Sequence, residues 1–304
     1  GGVFSATSGT SWGPKISELP NDATYGGSNA NSDYAKEYGV HQGKYYVPQR
    51  AAAGLDPWVT PQAYDNAKDF FDTGITWSNS LNVAQMLDKS SYSISLGNTH
   101  QDGIISSTGM DRYNVKVSAD TKLTNNWSSG FTANYITTSI DKAVTSGNGL
   151  LRTVYAAPPS YDLAGIPSHV DGNLYAQNSF RGSFDNAYWA MENNKFTEDT
   201  NRFFGNVYAS YQTDFGTTNH KLNAKYMVGV DAYTTHYVDS YGYGSNTGGG
   251  RGQIENYGWT NATYNSLLTI NYDWHINEDW GLNAVVGNEI IQSNRKKYYE
   301  YGTN

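Results

Sequence analysis

From about Gly74 onward, apolar and polar residues alternate with period two in roughly eight stretches. That period sends successive side chains to opposite faces of an extended strand. In 113–120, Tyr113, Val115, Val117 and Ala119 share one face and Asn114, Lys116, Ser118 and Asp120 the other. Leu222, Ala224, Tyr226, Val228, Val230 and Ala232 repeat the pattern against Lys221, Asn223, Lys225 and Asp231. Tyr264, Leu268, Ile270, Tyr272, Trp274 and Ile276 oppose Asn265, Thr269, Asn271, Asp273 and His275. Trp280, Leu282, Ala284 and Val286 oppose Asn283 and Glu289. Weaker alternation predicts strands over 75–87, 92–98, 127–135 and 203–215. The chain reads as all-β.

The joints between these stretches alternate in length. Asp88-Lys89, Thr124-Asn125-Asn126, Gly216-Thr217-Thr218-Asn219 and Asn277-Glu278-Asp279 are short. The intervening joints are longer, above all 141–200 and about 242–256. Short turns at one end and long loops at the other are the layout of an antiparallel transmembrane β-barrel, with periplasmic turns and extracellular loops. Several stretches carry about ten alternating residues, the length a tilted membrane strand needs, whereas globular strands average nearer 5–6. Trp127, Phe215, Trp274 and Trp280 stand beside the short turns, the position of a periplasmic-side aromatic girdle at the lipid–water boundary. A soluble β-sandwich also alternates, because one face of each sheet is wet, and it stands as the competing architecture.

Turn parity gives direction. The first clear strand ends in a short turn and so runs inward. Residues 1–73, rich in Gly, Asn, Pro and Tyr and without a sustained period, are then expected to be an extracellular loop region. The last strand leaves a short turn at Trp280 and ends outward at Tyr298-Tyr299-Glu300-Tyr301. A complete bacterial barrel keeps both termini in the periplasm, so the expectation is a partial barrel, an internal piece lacking strands at both ends. The absence of a signal peptide or a Met at Gly1 agrees with that expectation.

Composition narrows the picture. A hydrophobic content of 38% and a mean hydropathy of −0.62 are too polar for a helical membrane protein. No run of about 18 apolar residues occurs, so no helix is expected to span a bilayer; a barrel needs only every second residue apolar. The formal charge of −8 argues against nucleic-acid binding. Without cysteine there is no disulfide framework, thiolate metal site or cysteine nucleophile.

Five segments in chain order then carry a resemblance. Ser11-Trp12-Gly13-Pro14-Lys15-Ile16, Asp69-Phe70-Phe71-Asp72-Thr73-Gly74, and Gln101-Asp102-Gly103-Ile104-Ile105 with Asp111-Arg112-Tyr113-Asn114-Val115 are the first three. Ala157-Pro158-Pro159-Ser160-Tyr161-Asp162 is the fourth, and Tyr188-Trp189-Ala190-Met191-Glu192-Asn193-Asn194 with Asn201-Arg202-Phe203 is the fifth. Together they resemble the SWGPK, DFFDTG, QxGIxP…RxNVxxN, PPxxD and NPYWxxxxN…DxxNRF segments of SusC/RagA-type TonB-dependent outer-membrane transporters. The resemblance implies a barrel of about 22 strands, of which this chain supplies the second to about the ninth. It also implies the outer membrane of a Gram-negative bacterium of the Bacteroidota, a SusD-like surface lipoprotein as partner, and TonB acting through a plug not contained in this sequence.

Catalysis finds little support. Glu192, Glu198 and Asp199 lie near Lys195 in the longest loop, and two carboxylates can form a glycosidase pair, but loop acids are usually solvated charges. No enzyme activity is expected. The histidines His41, His100, His169, His220, His236 and His275 show no ligand spacing, so neither a metal nor another cofactor is expected. Gly147-Asn148-Gly149 and Gly248-Gly249-Gly250 do not lead from strand to helix and read as loop tips.

The candidate substrate- or partner-contact residues are loop aromatics: Tyr155, Tyr161, Tyr188, Trp189 and Tyr243. Ring faces bind sugar C–H surfaces and peptide side chains, and Tyr hydroxyls add hydrogen bonds. The plainer reading is that many pack loop against loop; it is favoured for Tyr241, Tyr298 and Tyr299, as an upper girdle. Lys116, Lys122, Asp120, Lys225 and Asp231 are expected to pair with one another or with a plug.

The leading expectation is an outer-membrane importer taking up an oligosaccharide or peptide. A passive porin or adhesive surface barrel, and a soluble glycan-binding β-domain, are the alternatives.

Overall fold

The computed structural model describes residues 14–144, 149–180 and 182–303. Residues 14–71 form a layer of short elements. It holds a 3-10 turn (Ile16–Asn21), helices α1 (Asp33–Tyr38), α2 (Pro48–Ala52) and α3 (Asn66–Phe70), and a ribbon of β1 (Tyr45–Tyr46) with β2 (Trp58–Val59). Four long strands follow: β3 (Thr76–Met86), β4 (Ser90–Asp102), β5 (Gly109–Lys122) and β6 (Trp127–Lys142). A long connection then carries α4 (Leu150–Ala156), a ribbon of β7 (His169–Val170) and β8 (Asn173–Gln177), and α5 (Ala187–Asn193). The last four long strands are β9 (Lys195–Thr213), β10 (His220–Tyr243), β11 (Arg251–His275) and β12 (Gly281–Thr303).

The eight long strands make one antiparallel sheet in which chain neighbours are spatial neighbours, from β3 at one edge to β12 at the other. The edges do not pair with each other, so the sheet is an open arc, in line with the all-β partial barrel expected from the alternation. The short joints close as side-chain-braced turns. Thr124 Oγ1 accepts the Asn126 and Trp127 N–H groups at 3.2 and 3.0 Å. Asn277 Oδ1 accepts those of Asp279 and Trp280 at 3.0 and 2.9 Å. Asp214 Oδ1 accepts that of Gly216 at 2.9 Å, where the chain passes through φ +57° at Phe215 and +73° at Gly216.

Cross-strand register separates two faces. One row runs Val83, Ile94, Val117, Ala133, Gly205, Val230 and Tyr264 and ends at Gln292; another starts at Gln85 and runs Tyr92, Ala119, Phe131, Val207, Val228, Ser266 and Ile290. These rows leave an apolar surface bare across the arc. The row on the opposite face is Asn82, Ser95, Lys116, Asn134, Phe204, Asp231, Thr263 and Ser293. On β10 the apolar series runs from Leu222 to Ala232, and Thr234, His236, Val238 and Ser240 succeed it. Ten residues at ~3.3 Å each, tilted by ~40°, span roughly 25 Å, the height of a membrane barrel's apolar band.

Two loop bounds differ from those expected. The loop expected over 141–200 is 143–194, because β9 begins at Lys195 and pairs with β6 from Phe196 onward. The loop expected at about 242–256 is only 244–250. Pairing continues to Tyr241 opposite Gln253 and Tyr243 opposite Arg251, so the Gly-rich stretch misled: its positive-φ glycines sit at 244, 249, 250 and 252, around one turn. Of 1–73, residues 14–71 are a folded layer, held by distant contacts that leave no period in the sequence.

The buried core lies outside the sheet. Leu19, Tyr45, Phe70, Val154, Leu163, Phe180, Ala187 and Trp189 pack the N-terminal layer onto the long connection, at the long-loop end.

Candidate functional site

The polar face of the sheet is networked by its own side chains. Arg202 donates to Asp231 through Nε at 2.8 Å and Nη2 at 2.6 Å, and its guanidinium lies 4.9 Å from the Phe204 ring centre. A bidentate fork of this kind holds its charges in a fixed geometry. Tyr208 donates to Asp120 at 2.6 Å, and the Lys225 ammonium sits 4.2 Å over the Tyr208 ring. Asp231 therefore pairs with Arg202, which the sequence reading did not name among the charged residues of this face, while Asp120 and Lys225 share Tyr208.

Toward the long-loop end the same face becomes aromatic. Tyr237 and Tyr257 stack at 4.9 Å with rings 8° apart, and Trp259 lies 5.3 Å from Tyr237. Lys142 Nζ rests 4.6 Å over the Tyr237 ring and 3.3 Å from Glu198 Oε2. Tyr257 donates to Asp239 at 3.1 Å, and Arg295 lies over Trp259 at 4.9 Å. Sequence reasoning missed this cluster. Its signal was parity: these aromatics fall on the polar positions of β10 and β11, out of step with the apolar series.

The predicted contact residues do not come together. Trp189 is 0% exposed. Asn186 caps α5 by accepting the Tyr188 and Trp189 N–H groups, and Trp189 Nε1 donates to the Leu174 carbonyl at 3.1 Å. Tyr161 is 7% exposed, with its ring 5.3 Å from Phe180. Neither presents a face to a substrate; both serve the loop core, because long-range packing claims the largest apolar side chains of a long connection. Tyr188 is half-buried, edge-on to Phe70 at 5.3 Å, with its hydroxyl donating to the Asp69 carbonyl at 3.3 Å; burial raises its phenol. Tyr155 and Tyr243 are open, 59% and 57% exposed, and Tyr243 meets Tyr175 edge-on at 5.8 Å.

Trp127 and Trp274 lie on the apolar face at its short-turn end, and Phe215 and Trp280 stand in the adjoining turns, all exposed. Glu198 and Asp199 are consecutive residues of β9 rather than loop acids, so they point to opposite faces and cannot act as a pair. Gly249 and Gly250 form the tip of the β10–β11 turn. Ser11-Trp12-Gly13 and Gly147-Asn148 lie outside the described residues.

The remaining motif segments are joints of the loop layer. The Pro158 and Pro159 carbonyls accept from Asn66 Nδ2 at 3.3 Å and the Tyr64 N–H at 2.7 Å, and the Ser160 carbonyl accepts the Tyr45 hydroxyl at 2.6 Å. Phe70 is buried, and Asp72 N–H donates to the Ile104 carbonyl at 2.9 Å. Asp185 joins the connection to the β10–β11 turn, accepting from Gln177, Ser245 and Asn246 at 2.6–2.9 Å.

This open arc, with its folded loop layer above one end, is an arrangement already seen. The fold resembles part of the RagAB peptide importer. In its closed-closed state that importer matches with a TM-score of 0.69 at 16% identity, over 96% of this chain and 32% of the other. RagAB in its open-open state gives 0.67 at 15% identity, over 96% and 31%. A further RagAB peptide transporter structure gives 0.62 at 17%, over 79% and 27%. This chain thus spans about a third of the RagAB chain it matches. No protein-family model and no curated protein matches it.

Proposed function

We propose that this chain is part of the barrel wall of an outer-membrane nutrient importer, a transporter rather than an enzyme. It would act in TonB-dependent uptake of an oligosaccharide or peptide, with a SusD-like lipoprotein at the long-loop end, in a Gram-negative bacterium of the Bacteroidota. The observation that carries this reading is the pair of faces. An apolar surface, bare across all eight strands and ~25 Å tall, suits lipid, and the opposite face is networked by ion pairs and hydrogen bonds. Trp127, Phe215, Trp274 and Trp280 would mark the periplasmic lipid boundary. Tyr237, Tyr257 and Trp259 would line the mouth, where ring faces meet substrate. The fold shared with RagAB, itself a peptide importer, supports the same reading.

The test uses the full-length protein. It should require detergent to stay monodisperse and should migrate differently on a gel before and after boiling. A monodisperse protein without detergent would favour the soluble glycan-binding alternative. Loss of uptake on deleting the TonB gene separates an importer from a passive porin.

A further inference from the structure

Two adjoining rows on the polar face of the sheet combine rings with carboxylates. One runs Glu198, Tyr237, Tyr257 and Tyr299 across β9 to β12; the next, toward the long loops, runs Asp239, Glu255 and Tyr301 across β10 to β12. Each phenol of the first row is turned to a carboxylate: Tyr237 to Glu198, Tyr257 to Asp239 and Tyr299 to Glu255. A phenol that shares its proton with a carboxylate has a more electron-rich ring, and ring faces attract cations. A cation of the chain itself already sits there. Tyr237 has Tyr257 stacked against it from β11, while Lys142 reaches over it from β6, across β9, and pairs with Glu198 at 3.3 Å. The Lys142 and Glu198 side chains keep 34% and 27% exposure, so the pair is partly desolvated yet open to exchange. Three carboxylates thus face one ammonium in these rows. Arg295 and Lys297 lie outside them toward the short turns, with Arg295 over Trp259, and Arg251 lies outside them toward the long loops.

We propose that this patch binds a protonated amine or guanidinium of the substrate, over the Tyr237 ring and against Glu198, with Lys142 as its resident competitor. Lys142 is the last residue of β6, and its flexible four-carbon stem lets the ammonium leave the ring when a ligand's cation arrives. An anionic group would meet three carboxylates. A neutral sugar would need a broad free ring face, and Tyr237 is covered by Tyr257 and Lys142 together. The charge can come from an amino sugar or from a basic amino-acid side chain. For its biological use the site rests on the importer reading, whose substrate it narrows to one that carries a positive group.

The full-length protein in detergent, first checked for heat-modifiable migration, is titrated at low salt with two pairs of probes. Chitotriose, at a pH that protonates its amines, is set against its fully N-acetylated form, and N-acetyl-alanyl-arginyl-alanine amide against its citrulline counterpart. A charged probe should bind saturably and its neutral partner about five-fold or more weakly. The pair that discriminates names the source, amino sugar or basic side chain. Tyr237→Leu should weaken the charged probe roughly five- to thirty-fold. Lys142→Met should tighten it roughly two- to five-fold, a gain that misfolding does not produce. A heat-modifiable barrel that binds neither charged probe, binds without charge preference, or binds unchanged in both variants overturns the proposal while the importer reading stands. Charge-selective binding that responds to both variants in a protein needing no detergent upholds the site and removes the importer reading.

Discussion

At the residue scale, the long connection is organised around Trp189, whose ring is wholly buried and whose indole N–H is spent on a backbone carbonyl. Trp189→Ala should cost the loop layer about 3–5 kcal/mol. The expected signs are faster proteolysis within 143–194 and a lower unfolding temperature of that layer, with heat-modifiable migration retained. Tyr45 supplies a pH dependence. Burial pushes its phenol from 10.0 to about 12. Between those values the folded layer keeps a proton that the unfolded chain has released, so this contribution is intact below about pH 10 and is lost as pH rises toward 12. An ultraviolet titration of tyrosinate should count one late-titrating phenol fewer in Tyr45→Phe. Loop aromatics were legible in the sequence only as aromatics. Trp189 and Tyr155 look alike there, because whether a ring meets solvent or core depends on chain segments far away.

At the element scale, adjacent residues of one strand should differ sharply. Val228 lies on the bare apolar face and Met227 on the networked one, both near the middle of the band. Val228→Arg should destabilise refolding of the full-length protein into lipid by about 2–4 kcal/mol, and Met227→Arg by close to nothing. Denaturant titration in vesicles reads the difference. The strands were legible because a two-residue period on a half-apolar sheet is a local property. Their lengths were not. β10 has 24 residues and β11 has 25, well beyond the apolar series; above it one face carries Thr234, His236, Val238 and Ser240 while the other turns aromatic at Tyr233 and Tyr237, so alternation fades while backbone pairing continues. The N-terminal layer was illegible for the opposite reason. Its helices are 5 to 6 residues long, two of them begun by single side-chain caps at Ser32 and Asp65, and its stability comes from contacts such as Tyr45 with Ser160.

At the scale of the whole molecule, the sheet buries little of its own surface, and the core sits in the loop layer at one end. A water-soluble sheet buries one apolar face against a second layer; this one leaves its apolar rows uncovered across the arc, as a wall in lipid does. The edges β3 and β12 expose backbone donors and acceptors that cannot lie bare in hydrocarbon, so in a membrane each edge pairs with further strands. RagAB shares this arc and loop layer within a chain about three times as long. The central claim is that the face holding Val228 is in lipid. This chain has no cysteine; in a full-length protein freed of any cysteine elsewhere, one is placed singly at each position from 222 to 232 of β10 and spin-labelled in lipid vesicles. Labels at Leu222, Ala224, Tyr226, Val228, Val230 and Ala232 should collide with oxygen dissolved in the bilayer, and labels at the intervening positions with a water-soluble nickel chelate. Equal access of the chelate to both sets would contradict the account.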